Sequence, residues 1–235
     1  MENYVKNAIK QGIKELGFSD HSPYFFDGSY YSNFRMKPDE AEKYVNEVTE
    51  LREKYKDKIK IYIGYEMEWY PKHFDDALEF IKRDTCDYLI LAVHHTNGEI
   101  YDGIWSTTPT CEEKHIYDYT NCILNGIETG KFTYIAHPDI INFRGERKIY
   151  DKYMTEICKK AKEKDIPLEI NALGLRENRN YPGKRFFELA KEIGNKFVIG
   201  IDAHEENAFT NYHFAKEFAD SLGLKIEENV KLVRP

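Results

Sequence analysis

The chain has 235 residues, of which 41% are hydrophobic and 32% are charged, and its formal net charge is −7. This length fits one α/β domain with a sizeable core. The negative charge gives no general attraction to nucleic acid or to an anionic membrane, so we expect neither as a partner. The four cysteines, Cys86, Cys111, Cys122 and Cys158, form no CxxC pair. We expect them to be reduced thiols in a cytoplasmic protein.

The first half of the chain alternates between helical and extended patterns. The predicted helices cover about residues 1–16, 39–55 and 74–81, and the predicted strands cover about residues 18–20, 59–66 and 88–93. Apolar residues recur at helical spacing in the helices, whereas Ile59, Ile61 and Ile63 alternate as in a strand. The continuous apolar run from Tyr88 to Val93 is typical of a parallel strand that is buried on both faces.

The second half continues the same alternation. The predicted helices cover about residues 110–130, 150–164, 186–193 and 214–222, and the predicted strands cover about residues 132–136, 167–171, 197–201 and 224–226. Thr110 and Glu113 have the spacing of a capping box, which places the start of the first of these helices. Seven strands that alternate with helices predict a parallel sheet in a single domain over residues 1–235.

Polar side chains of metal-ligand type follow the carboxyl ends of six of these strands. They are His21, Glu66, His94, His137, Asn171, Asp202 and His204. In a closed barrel the carboxyl ends of the strands meet at one mouth, where active sites are built. In an open sheet these ends would spread along an edge. Six strand ends that each carry such a side chain therefore favour a barrel.

Imidazole and carboxylate groups together suit zinc, manganese or iron. A hydrogen-bonded loop histidine explains any single case equally well, but four histidines at equivalent positions favour a metal site. His73, His115 and His213 fall in or beside predicted helices, so we expect no ligand role for them. His95 follows His94 directly, and strand alternation turns the two side chains to opposite faces. Only one of these two side chains should reach the mouth.

Six short motifs in order along the chain resemble the histidinol-phosphatase branch of the PHP family of metal-dependent phosphoesterases. They are Gly17-Phe18-Ser19-Asp20-His21-Ser22-Pro23, Gly64-Tyr65-Glu66-Met67-Glu68, Asp87-Tyr88 with Ala92-Val93-His94, Ala136-His137-Pro138-Asp139 with Asn142-Phe143-Arg144, Glu169-Ile170-Asn171 with Gly174-Leu175-Arg176, and Gly200-Ile201-Asp202-Ala203-His204. Each motif is short, but the ordered set is specific and covers essentially the whole chain.

The resemblance implies a distorted seven-stranded (β/α) barrel, similar to a TIM barrel, with up to three divalent ions at its mouth. The implied metal ligands are His21, Glu66, His94, His137, Asp202 and His204. In this assignment Glu66 bridges two ions, His94 and His137 complete one of these sites, and Asp202 binds at the other. His21 and His204 serve the third site. Glu66, Asp202 and His204 are the implied catalytic residues.

The implied chemistry is hydrolysis of a phosphomonoester, in which bound ions polarise the phosphoryl oxygens. Arg144 and Arg176 are candidates to bind the phosphate, because a guanidinium group matches phosphate geometry. A salt bridge at the rim explains either arginine nearly as well. The leading hypothesis is a phosphatase for histidinol phosphate, a small metabolite of histidine biosynthesis. The alternatives are another PHP phosphoesterase or nuclease, and a metal-binding member without turnover.

The chain departs from the family pattern at its start. The family opens with a strand that ends in a His-x-His motif, and this sequence contains no such motif. We therefore expect the first barrel strand to be missing and fewer than three ions to bind. A shortened start and a degenerate family member both explain this departure. The remaining site residues favour the shortened start.

Overall fold

The structure is a computed structural model that describes residues 1–83, 85–100 and 103–235. Its helices are α1 Glu2–Lys10, α2 Pro38–Tyr55, α3 Phe74–Lys82, α4 Glu113–Glu128, α5 Arg147–Glu163, α6 Ala172–Arg176, α7 Lys184–Ile193 and α8 Tyr212–Leu222, with a 3-10 helix at Ala208–Asn211. Its strands are β1 Glu15–His21, β2 Lys60–Glu68, β3 Tyr88–Ala92, β4 His95–Thr96, β5 Ile104–Trp105, β6 Tyr134–Ile135, β7 Leu168–Asn171 and β8 Phe197–Gly200. Within these residues, no helix combines the length and apolar character that a membrane span requires.

Six parallel strands form one sheet in the order β1-β2-β3-β6-β7-β8, and the sheet curls into a half barrel. Chain order and spatial order are the same, so each strand lies beside the next one and all their carboxyl ends lie at the same edge. β4 and β5 form a separate antiparallel hairpin after β3. The predicted α/β fold, in which parallel strands alternate with helices and curl as in a TIM-like barrel, is confirmed.

The predicted seventh strand, over residues 224–226, is wrong as a full strand. Ile226 makes a single parallel bridge to Phe197, and the Glu227 N–H donates to the Phe197 carbonyl at 2.8 Å. The chain then leaves β8 and crosses the sheet, where the Val233 N–H donates to Thr133 Oγ1 at 3.0 Å. β1 and β8 are the outer strands of the six-stranded sheet.

Two predicted helix boundaries are also wrong. α1 ends at Lys10 rather than Leu16, because Gly12 takes a positive φ of 77° and the chain turns into β1. The predicted capping box does not form. Thr110 Oγ1 instead accepts a hydrogen bond from the Glu112 N–H at 3.0 Å, and α4 begins at Glu113. A local hydroxyl turn therefore replaces the first turn of the predicted helix.

Tyr88 of β3 packs over two glycines of the neighbouring strands. Its hydroxyl donates to the Phe18 carbonyl at 3.1 Å. A Cβ atom on Gly64 would lie 2.4 Å from the Tyr88 ring, and one on Gly17 would lie 2.2 Å from the Tyr88 hydroxyl oxygen. Glycine at these two positions therefore makes room for the tyrosine ring on the inner face of β1 and β2.

We predict that Gly64→Ala destabilises the fold by about 1–3 kcal/mol, because the new methyl group overlaps the buried Tyr88 ring. Urea unfolding measures the loss. In a Tyr88→Ala background the overlap is gone, so the same glycine substitution should cost much less. Equal costs in the two backgrounds would contradict this packing.

Candidate metal centre

Three imidazole groups surround the carboxylate of Glu66, whose side chain is only 10% exposed. His137 Nε2 lies 3.0 Å from Glu66 Oε1, and His94 Nε2 lies 3.5 Å from the same oxygen. His21 Nδ1 lies 3.6 Å from the other oxygen, Oε2. Both oxygens of one carboxylate thus face nitrogen atoms that can bind a metal.

Strand register places these four side chains together. His21 ends β1 and is the register partner of Glu66 in β2. His94 and His137 each lie two residues beyond the end of a strand, β3 and β6 respectively. The His94 ring centroid is 5.0 Å from that of His21 and 5.0 Å from that of His137. The parallel pairing of four neighbouring strands of the sheet, β1, β2, β3 and β6, therefore brings side chains that are far apart in sequence into one cluster.

The charges in this cluster stabilise one another. Burial opposes ionisation of Glu66, but His21, His94 and His137 outweigh it and hold the pKa of this carboxyl well below its usual range. Burial also opposes a charge on His137, yet its hydrogen bond with Glu66 raises the pKa of His137 to about 9. Burial lowers the pKa of His21, and the nearby Glu66 charge offsets part of that effect.

The donor set fits a divalent cation. One donor atom each from His21, Glu66 and His94 lies within 4.8 Å of the others. The Nδ1 atoms of His21 and His137 are buried and lack a hydrogen-bond partner. Imidazole nitrogen and carboxylate oxygen are typical ligands of zinc and of related transition metals. The grouping differs from the sequence-based assignment, because His21 lies with Glu66 and His94 rather than apart from them.

Asp202 joins the cluster through a hydrogen-bond network. Asn171 Nδ2 donates to Asp202 Oδ2 at 3.1 Å and to Glu169 Oε2 at 3.0 Å. The same Glu169 oxygen accepts the His137 backbone N–H at 2.7 Å. Asn171 is itself fixed, because its Oδ1 accepts the Gly174 N–H at 2.8 Å. This network connects the ends of β6, β7 and β8.

A cavity of about 1060 Å³ opens beside these groups. Among its lining residues are His21, Glu66, His137, Glu169, Asn171, Asp202 and His204. His137 and Asp202 take positive φ values of 31° and 51°. Such backbone conformations are strained for residues other than glycine and cluster at functional sites. The sharp turns after β6 and β8 aim these side chains across the carboxyl edge of the sheet.

His204 and the two candidate arginines lie farther out. His204 is 63% exposed, and its Nδ1 lies 3.1 Å from the Asp202 carbonyl oxygen and 3.4 Å from Asp202 Oδ1. Arg176 pairs with Glu177 at 2.8 Å and with Glu205 at 3.4 Å. Arg144 is exposed, and its Nε contacts Asn142 Oδ1 at 3.3 Å. These groups lie at the rim rather than against Glu66.

The remaining histidines lie elsewhere. His95 packs against Trp105 and Phe34, with ring centroids 3.9 and 5.9 Å away. His115 is buried in α4, and His213 is exposed in α8. Thus His94, and not its neighbour, contacts Glu66.

Two buried acids of the site were missed by the sequence analysis. Glu68 is 1% exposed and Glu169 is 3% exposed. Burial raises the pKa of Glu169 to about 7. A Cβ atom on Gly200 would lie 1.6 Å from Glu169 Oε1, so the glycine of β8 makes room for this carboxyl. Glu169 lies inside β7, and an acid among the apolar residues of a buried parallel strand was the signal that could have identified it. Glu68 is the last residue of β2, which extends two residues beyond its predicted end at Glu66.

We predict that His137→Ala weakens zinc binding by at least about tenfold, because it removes an imidazole nitrogen from the Glu66 cluster. Competition with a chromophoric chelator measures the affinity. His115→Ala is a matched control, since His115 is 5% exposed and His137 is 4% exposed. That control should lose stability but keep its zinc affinity. Equal losses of affinity in the two variants would show that the centre lies elsewhere.

This chain is similar to known proteins in sequence. The model of the PHP domain matches residues 1–173. Histidinol-phosphatase of Lactococcus lactis is 26% identical over 258 residues, which cover 98% of this chain and 91% of that protein. A probable histidinol-phosphatase of Schizosaccharomyces pombe is 25% identical over 250 residues, which cover 95% of this chain and 81% of that protein.

A solved structure has the same fold. It is the crystal structure of histidinol phosphate phosphatase from Lactococcus lactis, complexed with zinc, L-histidinol and phosphate. The match has a TM-score of 0.75 at 21% identity and covers 99% of this chain and 91% of that one. The family model covers well over half of the chain and agrees with the ordered motifs of the sequence, so the chain belongs to the PHP domain family.

Proposed function

We propose that this chain is a metal-dependent phosphatase that hydrolyses histidinol phosphate. The observation that carries the proposal is the buried carboxylate of Glu66, with His21, His94 and His137 around it. The relatives named histidinol-phosphatase support the substrate, since they match nearly the whole chain. The proposed phosphoesterase domain covers residues 1–235, since β1 and β8 belong to one sheet and the Val233 N–H donates to Thr133 Oγ1 of the same fold.

The proposed metal ligands are His21, Glu66, His94, His137, Asp202 and His204. Zinc, manganese and iron all suit this donor set, and the number of ions stays a prediction. Bound divalent ions would supply Lewis acidity to the phosphoryl oxygens and would activate a water molecule as the nucleophile. Glu66 presents one oxygen to His94 and His137 and the other to His21, so both of its oxygens would be available to hold divalent ions.

The other polar groups can orient the substrate and move protons. Asn171 holds the Asp202 carboxylate in one orientation at the cavity wall. When it does not bind a metal, the imidazole of His204 can pass a proton to the leaving alcohol oxygen, and Asp202 beside it can orient the ring. Its 63% exposure leaves it accessible to a substrate at the rim. Arg144 and Arg176 are the proposed phosphate-binding residues, and Arg176 would exchange its contacts with Glu177 and Glu205 for phosphate oxygens.

The expected partner is a small phosphorylated metabolite. A cavity of about 1060 Å³ is large enough for such a ligand. The net charge of −7 gives no support to binding of nucleic acid or a membrane surface. A cytoplasmic location stays a prediction.

We predict that the purified protein releases phosphate from histidinol phosphate, and that removing metal with a chelator abolishes the activity until zinc or manganese is restored.

Asp202→Asn should lower kcat by at least about a hundredfold, because an amide provides neither the charge nor both acceptor oxygens of the carboxylate. Phosphate release with histidinol phosphate, sugar phosphates and nucleotides as competing substrates tests the assignment. Faster hydrolysis of another phosphomonoester would contradict the assignment of histidinol phosphate and would identify that compound as the better substrate.

A separate prediction concerns phosphate recognition. Arg176→Lys keeps the charge but loses the planar pair of donors, so KM for histidinol phosphate should rise about tenfold. Arg185→Lys is the control, because Arg185 makes a two-point contact with Asp151 at 2.9 and 2.8 Å in another part of the fold. An unchanged KM in Arg176→Lys would show that Arg176 does not bind the phosphate and only forms salt bridges with Glu177 and Glu205.

A further inference from the structure

We infer that Glu68 is a positioning residue that orients His94 toward the metal centre and is itself held in place by Arg35. The inference rests on the proposed metal-dependent function. It adds a residue that does not reach the metal, and it assigns a purpose to a buried ion pair that the reaction chemistry leaves unused.

The His94 ring lies between two carboxylates of the same strand. Its Nδ1 is 2.8 Å from Glu68 Oε1, and its Nε2 is 3.5 Å from Glu66 Oε1. Glu66 and Glu68 are two residues apart in β2, so their side chains lie on the same face. An ionised carboxylate can only accept, so His94 Nδ1 must be the donor in this hydrogen bond. In the neutral imidazole, the Nε2 lone pair then faces Glu66, where a metal ion could bind.

Arg35 fixes the other oxygen of Glu68. One guanidinium nitrogen donates to Glu68 Oε2 at 3.0 Å, and another donates to the Ser22 carbonyl at 2.8 Å. The Arg35 side chain is 0% exposed. Its guanidinium carbon lies 4.9 Å from the ring centroids of both Tyr24 and Phe34. Glu68 therefore accepts from a rigid donor on one side and from His94 on the other.

The loop that carries Arg35 also packs on the imidazoles. The Phe34 ring centroid is 5.0 Å from that of His21 and 6.0 Å from that of His94. The Arg35–Glu68 pair thus joins this loop to the metal ligands.

Glu99 provides a matched control. Its side chain is also 0% exposed and pairs with the same guanidinium group. Its Oε1 lies 3.3 Å from the Tyr70 hydroxyl, not beside a histidine. Glu99→Gln and Glu68→Gln both remove a buried negative charge from Arg35, but only Glu68→Gln changes the partner of His94.

The test compares metal binding by the wild-type chain and by these two variants, without any substrate. Chelator competition gives the zinc affinity, and the visible spectrum of the cobalt-loaded protein reports ligand geometry. Glu68→Gln should weaken zinc binding about 10- to 100-fold and alter the cobalt spectrum, as losses of supporting carboxylates do at other metal sites. Glu99→Gln should retain the wild-type affinity and spectrum even where its thermal stability falls.

Two outcomes of the variant test overturn the inference. One is unchanged metal binding in Glu68→Gln, and the other is an equal loss in Glu99→Gln, which would show a merely structural ion-pair cluster.

The wild-type chain provides a further test that needs no variant. NMR of isotope-labelled histidine should show His94 protonated at Nδ1 and not at Nε2, and the opposite tautomer would overturn the inference. A wild-type chain that binds neither zinc nor cobalt would overturn the proposed function as well, whereas the other outcomes leave it intact.

Discussion

Burying an ionised carboxylate costs several kcal/mol unless opposite charges and hydrogen bonds compensate for it. Glu66 is such a group, and its compensation comes from three imidazoles that four strands bring together. His21 depends on the register of β1 against β2, while His94 and His137 depend on the short turns after β3 and β6. A slip of one residue in any of these strands would turn a site residue to the opposite face of the sheet. The parallel sheet and the candidate metal centre are therefore two consequences of the same register.

Buried acids behind the site hold its ligands in place on both sides. The Glu68 carboxylate forms a hydrogen bond with His94 through one oxygen and with Arg35 through the other. Glu169 accepts a hydrogen bond from the His137 backbone N–H. Asn171 donates hydrogen bonds to both Glu169 and Asp202 and so connects the two carboxylates. Both acids belong to strands, Glu68 as the last residue of β2 and Glu169 within β7, so they are held more rigidly than loop residues would be. Ligands supported in this way lose little conformational entropy when a metal binds.

Much of the site could be predicted from the sequence, because a parallel sheet places every strand end at one edge. That rule placed His21, Glu66, His94, His137 and Asp202 at one edge of the sheet, which is where the structure has them. The rule fails for Glu169, which lies inside β7. It was not applied to Glu68, because β2 was predicted to end near Glu66 and extends to Glu68. It also fails for contacts across loops: Arg35 reaches Glu68 from 33 positions away along the chain. Element ends were predicted less well, since the turn at Gly12 and the hydroxyl contact of Thr110 depend on local backbone geometry.

The central claim is that Glu66 and the imidazoles around it form the metal centre of a phosphatase. The most direct test is diffraction from crystals grown with zinc, recorded at the zinc absorption edge. We expect an anomalous peak about 2.0–2.2 Å from a carboxylate oxygen of Glu66, with at least two of the nitrogens of His21, His94 and His137 at about 2.0–2.1 Å from zinc. Zinc bound elsewhere, with no zinc peak near Glu66 in a protein that still hydrolyses histidinol phosphate, would contradict it.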